Sequence, residues 1–400
     1  MKNHLSIQIL VFTAARVVLN TMFRMVYPFL AAFGRGMGVE LTTLSYAMTL
    51  RSLAGALGPF LAYVGDRRGR KIGMLLGLFL FIIGVGLVAI RPSFPTFVLA
   101  LILSVLGKYT YDPSMQAYLG DRVAYKRRGR VLAVTELSWS LSIIIAVPLM
   151  GLLIARYGWS GPFPVLTLLA LVAFVVLAWM IPQDKVMITI QSGLWQNFRR
   201  IFAYPPVLAG LLMAMFSACA NEVINLVFGL WLENSFGLMI AALGVASAVI
   251  GLSELGGESL AAAITDRLGK PLAVGLGLGL NCLAVLALPI LGANTSGALV
   301  GLFFFYLTFE FSLVSSVPMM TEVMPSSRAT VMAVTVASIS IGRAVGVQIA
   351  TPLYIFGSSS SRIPDILPNS IAAVSLNLLA IAALSLLVRG IKSRSETPVI

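Results

Sequence analysis

The sequence predicts an all-α membrane protein with twelve transmembrane helices in two six-helix halves related by a pseudo-twofold axis. Three observations carry that prediction. Hydrophobic residues make up 58% of the 400 and charged residues 11%, with a mean hydropathy of +0.95, whereas soluble domains are about a quarter charged. The apolar residues gather in continuous runs of about 20 or more, the length a helix needs to cross the hydrocarbon core. A charged motif recurs at half the chain length, at residues 65–71 and 265–271. Together these exclude a water-soluble enzyme, a disordered chain and a fibrous repeat. The runs do not alternate, so a membrane β-barrel is excluded as well.

The spans are expected at roughly 7–33, 41–64, 72–90, 94–120, 130–155, 162–181, 205–232, 239–264, 271–292, 297–323, 329–356 and 370–389. The first is long and carries Arg16 and Arg24, unlike the short apolar stretch of a cleaved signal peptide. Pro28, Pro148, Pro318 and Pro352 fall inside spans, where kinks are tolerated. Cys219 and Cys282 sit in apolar runs, and the single histidine, His4, lies in the N-terminal tail. That leaves no ligand set for a disulfide framework, a zinc or iron–sulfur centre, or a histidine proton relay. No cofactor and no metal are expected. Gly275, Gly277 and Gly279 mimic a nucleotide-binding loop, but no strand precedes them, and close helix packing is the expected role.

Basic residues set the orientation. With both termini in the cytoplasm, nineteen of the 28 Lys and Arg fall on cytoplasmic segments and four, Arg35, Arg91, Arg156 and Arg362, on outer loops. This bias accounts for most of the net charge of +13 without nucleic acid. The expected setting is multi-pass in a cell inner or plasma membrane.

The halves are repeats. Residues 65–71 read G-D-R-R-G-R-K and residues 265–271 read T-D-R-L-G-K-P, so Asp66, Arg67 and Gly69 match Asp266, Arg267 and Gly269 at an offset of 200. The same offset pairs Arg128 with Arg328, Thr135 with Thr335 and Ser140 with Ser340. The expected domains are 1–181 and 205–400, joined by a cytoplasmic linker, 182–204. Within that linker Trp195, Phe198, Ile201 and Phe202 share one face of an interfacial amphipathic helix.

Six plus six spans, with a D-R-x-G-R-[KR] loop between the second and third and a weaker copy between the eighth and ninth, resemble the major facilitator superfamily over essentially the whole chain. One departure is small: Ala62 and Ala262 stand where the family usually has Gly four residues before the Asp. The resemblance implies a cytoplasmic gating cluster of Asp66, Arg70 and Asp121, with Arg67 and Gly69 completing the motif. Its second-half counterpart is Asp266, Lys270 and Glu322, with Arg267 and Gly269. Arg67, Arg68 and Lys71 also read as charges that obey topology alone. The resemblance also implies that the first, fourth, seventh and tenth spans line a cavity, in a protein that transports rather than catalyses.

Charges at membrane depth are costly and normally face a cavity or a partner. Eleven are present: Arg16, Arg24, Arg51, Lys108, Asp112, Glu136, Glu222, Glu254, Glu258, Glu310 and Arg343. The expected substrate and proton groups are Arg24, Lys108, Asp112, Glu136, Glu222, Glu254, Glu310 and Arg343. Lys108 and Asp112 share a helix face at i,i+4 and can neutralise each other, while Glu254 and Glu258 share that spacing with like charge. Glu136 aligns with Val336 and Arg343 with Ile143, so each half departs from the other by a charge. The functional expectation is a secondary transporter working by alternating access and coupled to protons, with a small-molecule or lipid-like substrate. Its other partners are the bilayer and protons; it is expected to act as a monomer and not to bind nucleic acid. A lipid or glycolipid flippase, a facilitative uniporter and a solute sensor on the same fold remain open, as does direction. The fourth span lacks the Arg of the family's proton-driven exporters, with Lys108 in its place, and the fifth keeps Pro148 and Gly151 without their repeated glycines.

Overall fold

The computed structural model describes residues 2–58, 60–61, 68–123, 125–182, 199, 201–324 and 327–395. Among them every regular element is helical. Eleven helices are long and apolar enough to cross a bilayer. The remaining expected span, 41–64, begins as α3 (Leu41–Gly55) and continues partly outside the described residues, as do Asp66, Arg67, Trp195 and Phe198.

The first span is two helices, α1 (Lys2–Met25) and α2 (Leu30–Met37). Pro28 interrupts it, because its ring cannot donate to Arg24 and clashes with that carbonyl. The seventh span breaks at the repeat-related place, between α9 (Pro205–Asn225) and α10 (Phe228–Phe236), with no proline at the break. The second piece of each span stops at a left-handed glycine, Gly38 at φ 67° and Gly237 at φ 65°, a conformation that glycine adopts without a Cβ penalty.

Tight helix crossings follow from glycine. α4 (Arg70–Ile90) and α5 (Phe94–Arg122) touch backbone to backbone. A Cβ on Gly77 would stand 2.6 Å from the Gly107 carbonyl oxygen, and one on Gly107 would stand 2.5 Å from that of Gly77. The repeat-related crossing is of α12 (Lys270–Leu291) on α13 (Thr295–Val323), where a Cβ on Gly277 would stand 2.7 Å from the Ser312 Cβ. The packing expected of the three glycines therefore falls on Gly277. Gly275 makes ordinary contact with Leu384, and nothing lies within 4 Å of a Cβ on Gly279.

The fifth span runs from α6 (Tyr125–Leu141) through a π-turn, Ser142–Ala146, into α7 (Val147–Tyr157). Pro148, lacking an N–H, cannot continue the regular ladder, and the widened turn lies just before it. The remaining helices are α8 (Pro162–Met180), α11 (Ile240–Leu268), α14 (Arg328–Ser358) and α15 (Leu367–Ser395).

The chain forms two compact units. One comprises Met1–Thr189 with Leu238–Gly251; the other comprises Ile190–Gly237 with Leu252–Ile400. In the first, buried rings Phe33, Phe97 and Phe163 pack edge-on with Trp159, tying α2 to α5 and α8. In the second, α9 lies against α14 and α15, and a buried amide pair joins α12 to α15 as Asn377 donates to Asn281 at 2.8 Å.

Gly77→Leu is expected to abolish the α4–α5 crossing and lower the unfolding temperature in detergent steeply, since overpacking alone costs about 1–3 kcal/mol. Gly279→Ala, which fills open space in a helix, should instead stabilise by about 0.4–1 kcal/mol. Thermal unfolding of the two variants side by side checks both.

Candidate functional site

Polar residues at i,i+4 spacing put stripes on the helices of the first unit. Along α1 the stripe is Arg16, Asn20 and Arg24, and along α5 it is Ser104, Lys108 and Asp112. α6 adds Thr135, Glu136, Ser138 and Trp139. The three stripes meet at Arg16, which is 4% exposed. Its Nε donates to Asp112 Oδ1 at 3.0 Å, its Nη1 to Glu136 Oε1 at 2.9 Å and to the Thr135 carbonyl at 2.9 Å, and its Nη2 to Glu136 Oε2 at 3.1 Å. Both carboxylates are thus gripped by one planar fork, which suits guanidinium and not ammonium.

Lys108 completes the network. Its Nζ donates to Asp112 Oδ2 at 2.6 Å, the intrahelical pair that the spacing anticipates, and to Asn20 Oδ1 at 2.6 Å. Asn20 in turn donates to Ser138 Oγ at 3.3 Å, and Ser138 to the Thr135 carbonyl at 2.6 Å. Gln116 donates to Glu136 Oε1 at 3.2 Å. Two cations face two carboxylates, so the cluster is neutral in its charged form. A lone buried ion costs several kcal/mol, and a compensated set avoids that penalty only when its lone pairs and protons are also matched, as they are here. The Trp139 ring carries the Arg24 guanidinium at 4.3 Å and the Lys108 ammonium at 5.4 Å.

Arg16 was not among the expected cavity groups, yet it is the centre of this cluster. The signal was its i,i+4 relation to Asn20, a buried amide on the same face. Arg24, Lys108, Asp112 and Glu136 all lie on or beside the network.

The other four expected cavity groups lie in the second unit. Glu222 is fully buried on α9 and accepts from Asn225 at 3.4 Å, and Asn225 accepts from the Tyr306 hydroxyl at 2.7 Å. Glu310 on α13 and Glu254 on α11 are buried, and Arg343 on α14 is half-buried. Glycines admit neighbouring helices next to two of these carboxylates. A Cβ on Gly346 would come within 2.7 Å of the Glu222 Cβ, and one on Gly257 within 2.9 Å of the Glu310 Cβ.

At the helix ends, Gly69 and Gly269 hold φ of 100° and 84° and cap α4 and α12. Each directs a cation toward the next helix: Arg70 Nε lies 3.6 Å from Asp121 Oδ2, and Lys270 pairs with Glu322. Asp266 and Arg267 are exposed in the last turn of α11 and have no ion-pair partner among the described residues. The second-half cluster is therefore Lys270 with Glu322, without Asp266. Lys71, expected to serve topology alone, donates to the Ala178 and Ile181 carbonyls at 2.6 Å each and caps the end of α8.

Asp112→Asn should destabilise by about 3–5 kcal/mol, because two buried cations lose their shared carboxylate. Adding Lys108→Gln to Asp112→Asn should recover part of that loss, since Arg16 keeps Glu136. Unfolding temperatures of the single and double variants test the shared role; a double variant worse than the single would contradict it.

The sequence profile of the Major Facilitator Superfamily matches residues 12–347. Among curated relatives, the uncharacterized MFS-type transporter YwfA of Bacillus subtilis (strain 168) is 31% identical over 137 residues, 34% of this chain and 33% of that relative. The chain therefore spans about a third of YwfA's length in that match. The uncharacterized MFS-type transporter YceJ of the same organism is 24% identical over 311 residues, 78% of both chains. A solved D-xylose–proton symporter superposes with a TM-score of 0.76 over 95% of this chain and 96% of its own, at 16% identity, a likeness of fold alone. With the profile spanning most of the chain and eleven membrane-length helices beneath it, the chain belongs to the Major Facilitator Superfamily, a family of multi-pass membrane transporters.

Proposed function

We propose that the chain is a secondary active transporter that moves a small molecule by alternating access and couples that movement to protons. The observation that carries the proposal is the Arg16–Asp112–Glu136–Lys108 network, where one buried guanidinium is shared between a buried and a half-exposed carboxylate. Glu136 is the proton acceptor in this reading. Its side chain is 47% exposed against 13% for Asp112, so it can exchange a proton with water without unpacking the core. It also holds one cation, whereas Asp112 holds two. A proton on Glu136 weakens its hold on Arg16 and leaves the cluster with one net positive charge. The guanidinium then has Asp112 and the Thr135 carbonyl as partners, and a two-state packing of α1 on α6 can follow its position.

Glu222, Glu254, Glu310 and Arg343 supply the polar groups of the second half. The moving bodies are residues 1–181 and 205–400, the termini and the linker 182–204 face the cytoplasm, and the working unit is one chain in a cell inner membrane. Arg70–Asp121 and Lys270–Glu322 act as gating pairs at the cytoplasmic ends, alongside Asp66 and Arg67 of the first motif. The D-xylose–proton symporter lends the fold a precedent for proton coupling.

Proteoliposomes loaded with a pH-reporting dye, given panels of sugars, amino acids, nucleosides and aromatic acids, test the reading. One solute class should move protons with it. Glu136→Gln should abolish proton-driven accumulation while solute exchange persists. Solute flux indifferent to the pH gradient would identify a uniporter, and lipid scrambling a flippase; either result ends the proton-coupled reading.

The gating pairs are half-exposed, and such pairs contribute up to about 1 kcal/mol. Asp121→Asn or Glu322→Gln should therefore change turnover by no more than about fivefold, with proton coupling intact. Initial rates in the same vesicles measure it.

A further inference from the structure

Arg51 lies within α3 at membrane depth and is 3% exposed. Every partner it has is neutral. Its guanidinium sits 3.8 Å above the Phe23 ring and 5.1 Å from that of Tyr27. Its Nη2 donates to the Tyr27 hydroxyl at 3.4 Å, and its Nη1 reaches Met48 Sδ at 3.6 Å. No carboxylate stands within ion-pairing distance among the described residues. Aromatic faces attract a cation, but far less than they must return for taking a guanidinium out of water.

A bland explanation is available and falls short. α1 ends at Met25, and the C-terminal end of a helix carries partial negative charge. Yet among the described residues Arg51 donates to no main-chain carbonyl, so it does not cap that end. Nor does the fold of a half demand a charge here, because the repeat-related position is Gly251.

The surroundings extend the pattern. Phe23 stacks on Trp139 at 5.9 Å, and that indole carries Arg24 and Lys108. The acids of the Arg16 cluster, Asp112 and Glu136, are engaged by Arg16 and Lys108. A guanidinium held against flat rings, with only neutral partners among the described residues, suits a flat anion. The anion takes the guanidinium in a paired, charge-assisted contact, and the ring faces that the cation leaves become stacking surfaces for the ligand.

We propose that Arg51 reads the charge of the transported substrate, and that the substrate is an aromatic organic anion. This rests on the transporter reading above and deepens it. Purified full-length protein in detergent, titrated calorimetrically with benzoate, phenyl phosphate, benzamide and benzylamine, tests it. At least one of the two anions should bind ten times or more tighter than both the neutral amide and the amine. Arg51→Gln should cost the anion at least tenfold and leave benzamide unaffected, while Arg51→Lys, which keeps the charge but not the fork, should cost it less than Arg51→Gln does. Circular dichroism of the variants without ligand guards against misfolding, and the wild-type comparison of benzoate with benzamide decides even if Arg51→Gln fails to fold. Binding of neither anion, equal binding of benzamide or benzylamine, or undiminished anion binding by Arg51→Gln overturns the proposal. So does tighter binding of dihexanoylphosphatidylglycerol than of either aromatic anion. Since binding is read without flux, a chain that binds benzoate but moves nothing would sink the transporter reading alone. Proton-coupled flux of a neutral solute would sink this proposal alone.

Discussion

Arg16 donates from all three of its nitrogens to two carboxylates and a main-chain carbonyl supplied by α5 and α6. Arg16 and Asp112 are largely shut off from water, so each needs the other as a partner, while the half-exposed Glu136 holds the same guanidinium fork from α6. Asn20, Ser138 and Gln116 then take up the remaining donors and acceptors. In the proposed mechanism a proton on one carboxylate changes the partners of a cation shared by three helices, which is how charge would be linked to helix packing.

Such a cluster forms only if helices approach closely, and in lipid the approach depends on small residues rather than on a hydrophobic drive. Gly77 and Gly107 let α4 and α5 touch, which seats the helix bearing Lys108 and Asp112. Gly346 does the same for Glu222 and Gly257 for Glu310. Glycine and buried charge thus recur together at these crossings. The breaks in the first and seventh spans share this logic, since Arg24 and Glu222 lie within a turn or so of each.

Much of the fold was legible because its determinants are local. Span length and hydropathy identify the helices, and the offset of 200 identifies the repeat. The break at Pro28 has a residue to announce it, and the one after Asn225 does not. The π-turn before Pro148 could be read as a kink but not as a widened turn, since that choice belongs to the surrounding packing. The site was half legible. The Lys108–Asp112 pair is a matter of i,i+4 spacing on one helix. The pairing of Arg16 with residues 96 and 120 positions away depends on helix rotation, which hydropathy does not report. Lys71 illustrates the reverse error: a charge assigned to topology turns out to cap another helix.

The repeat itself supplies the last step. Gly69 and Gly269 adopt the same backbone, each followed by a cation that pairs with the end of the next helix, so the duplicated scaffold is preserved in detail. What duplication does not preserve is the charge at membrane depth. The first unit holds four bases and two acids there, while the second holds Glu222, Glu254, Glu258 and Glu310 against Arg343. A scaffold maintained for stability alone would favour removing these groups from both copies, because a well-packed apolar replacement is often as stable as a buried ion pair. Opposite charge excess in two otherwise matched halves is an arrangement that stability does not ask for. It is the difference between the halves on which the proposed roles of anion and proton rest.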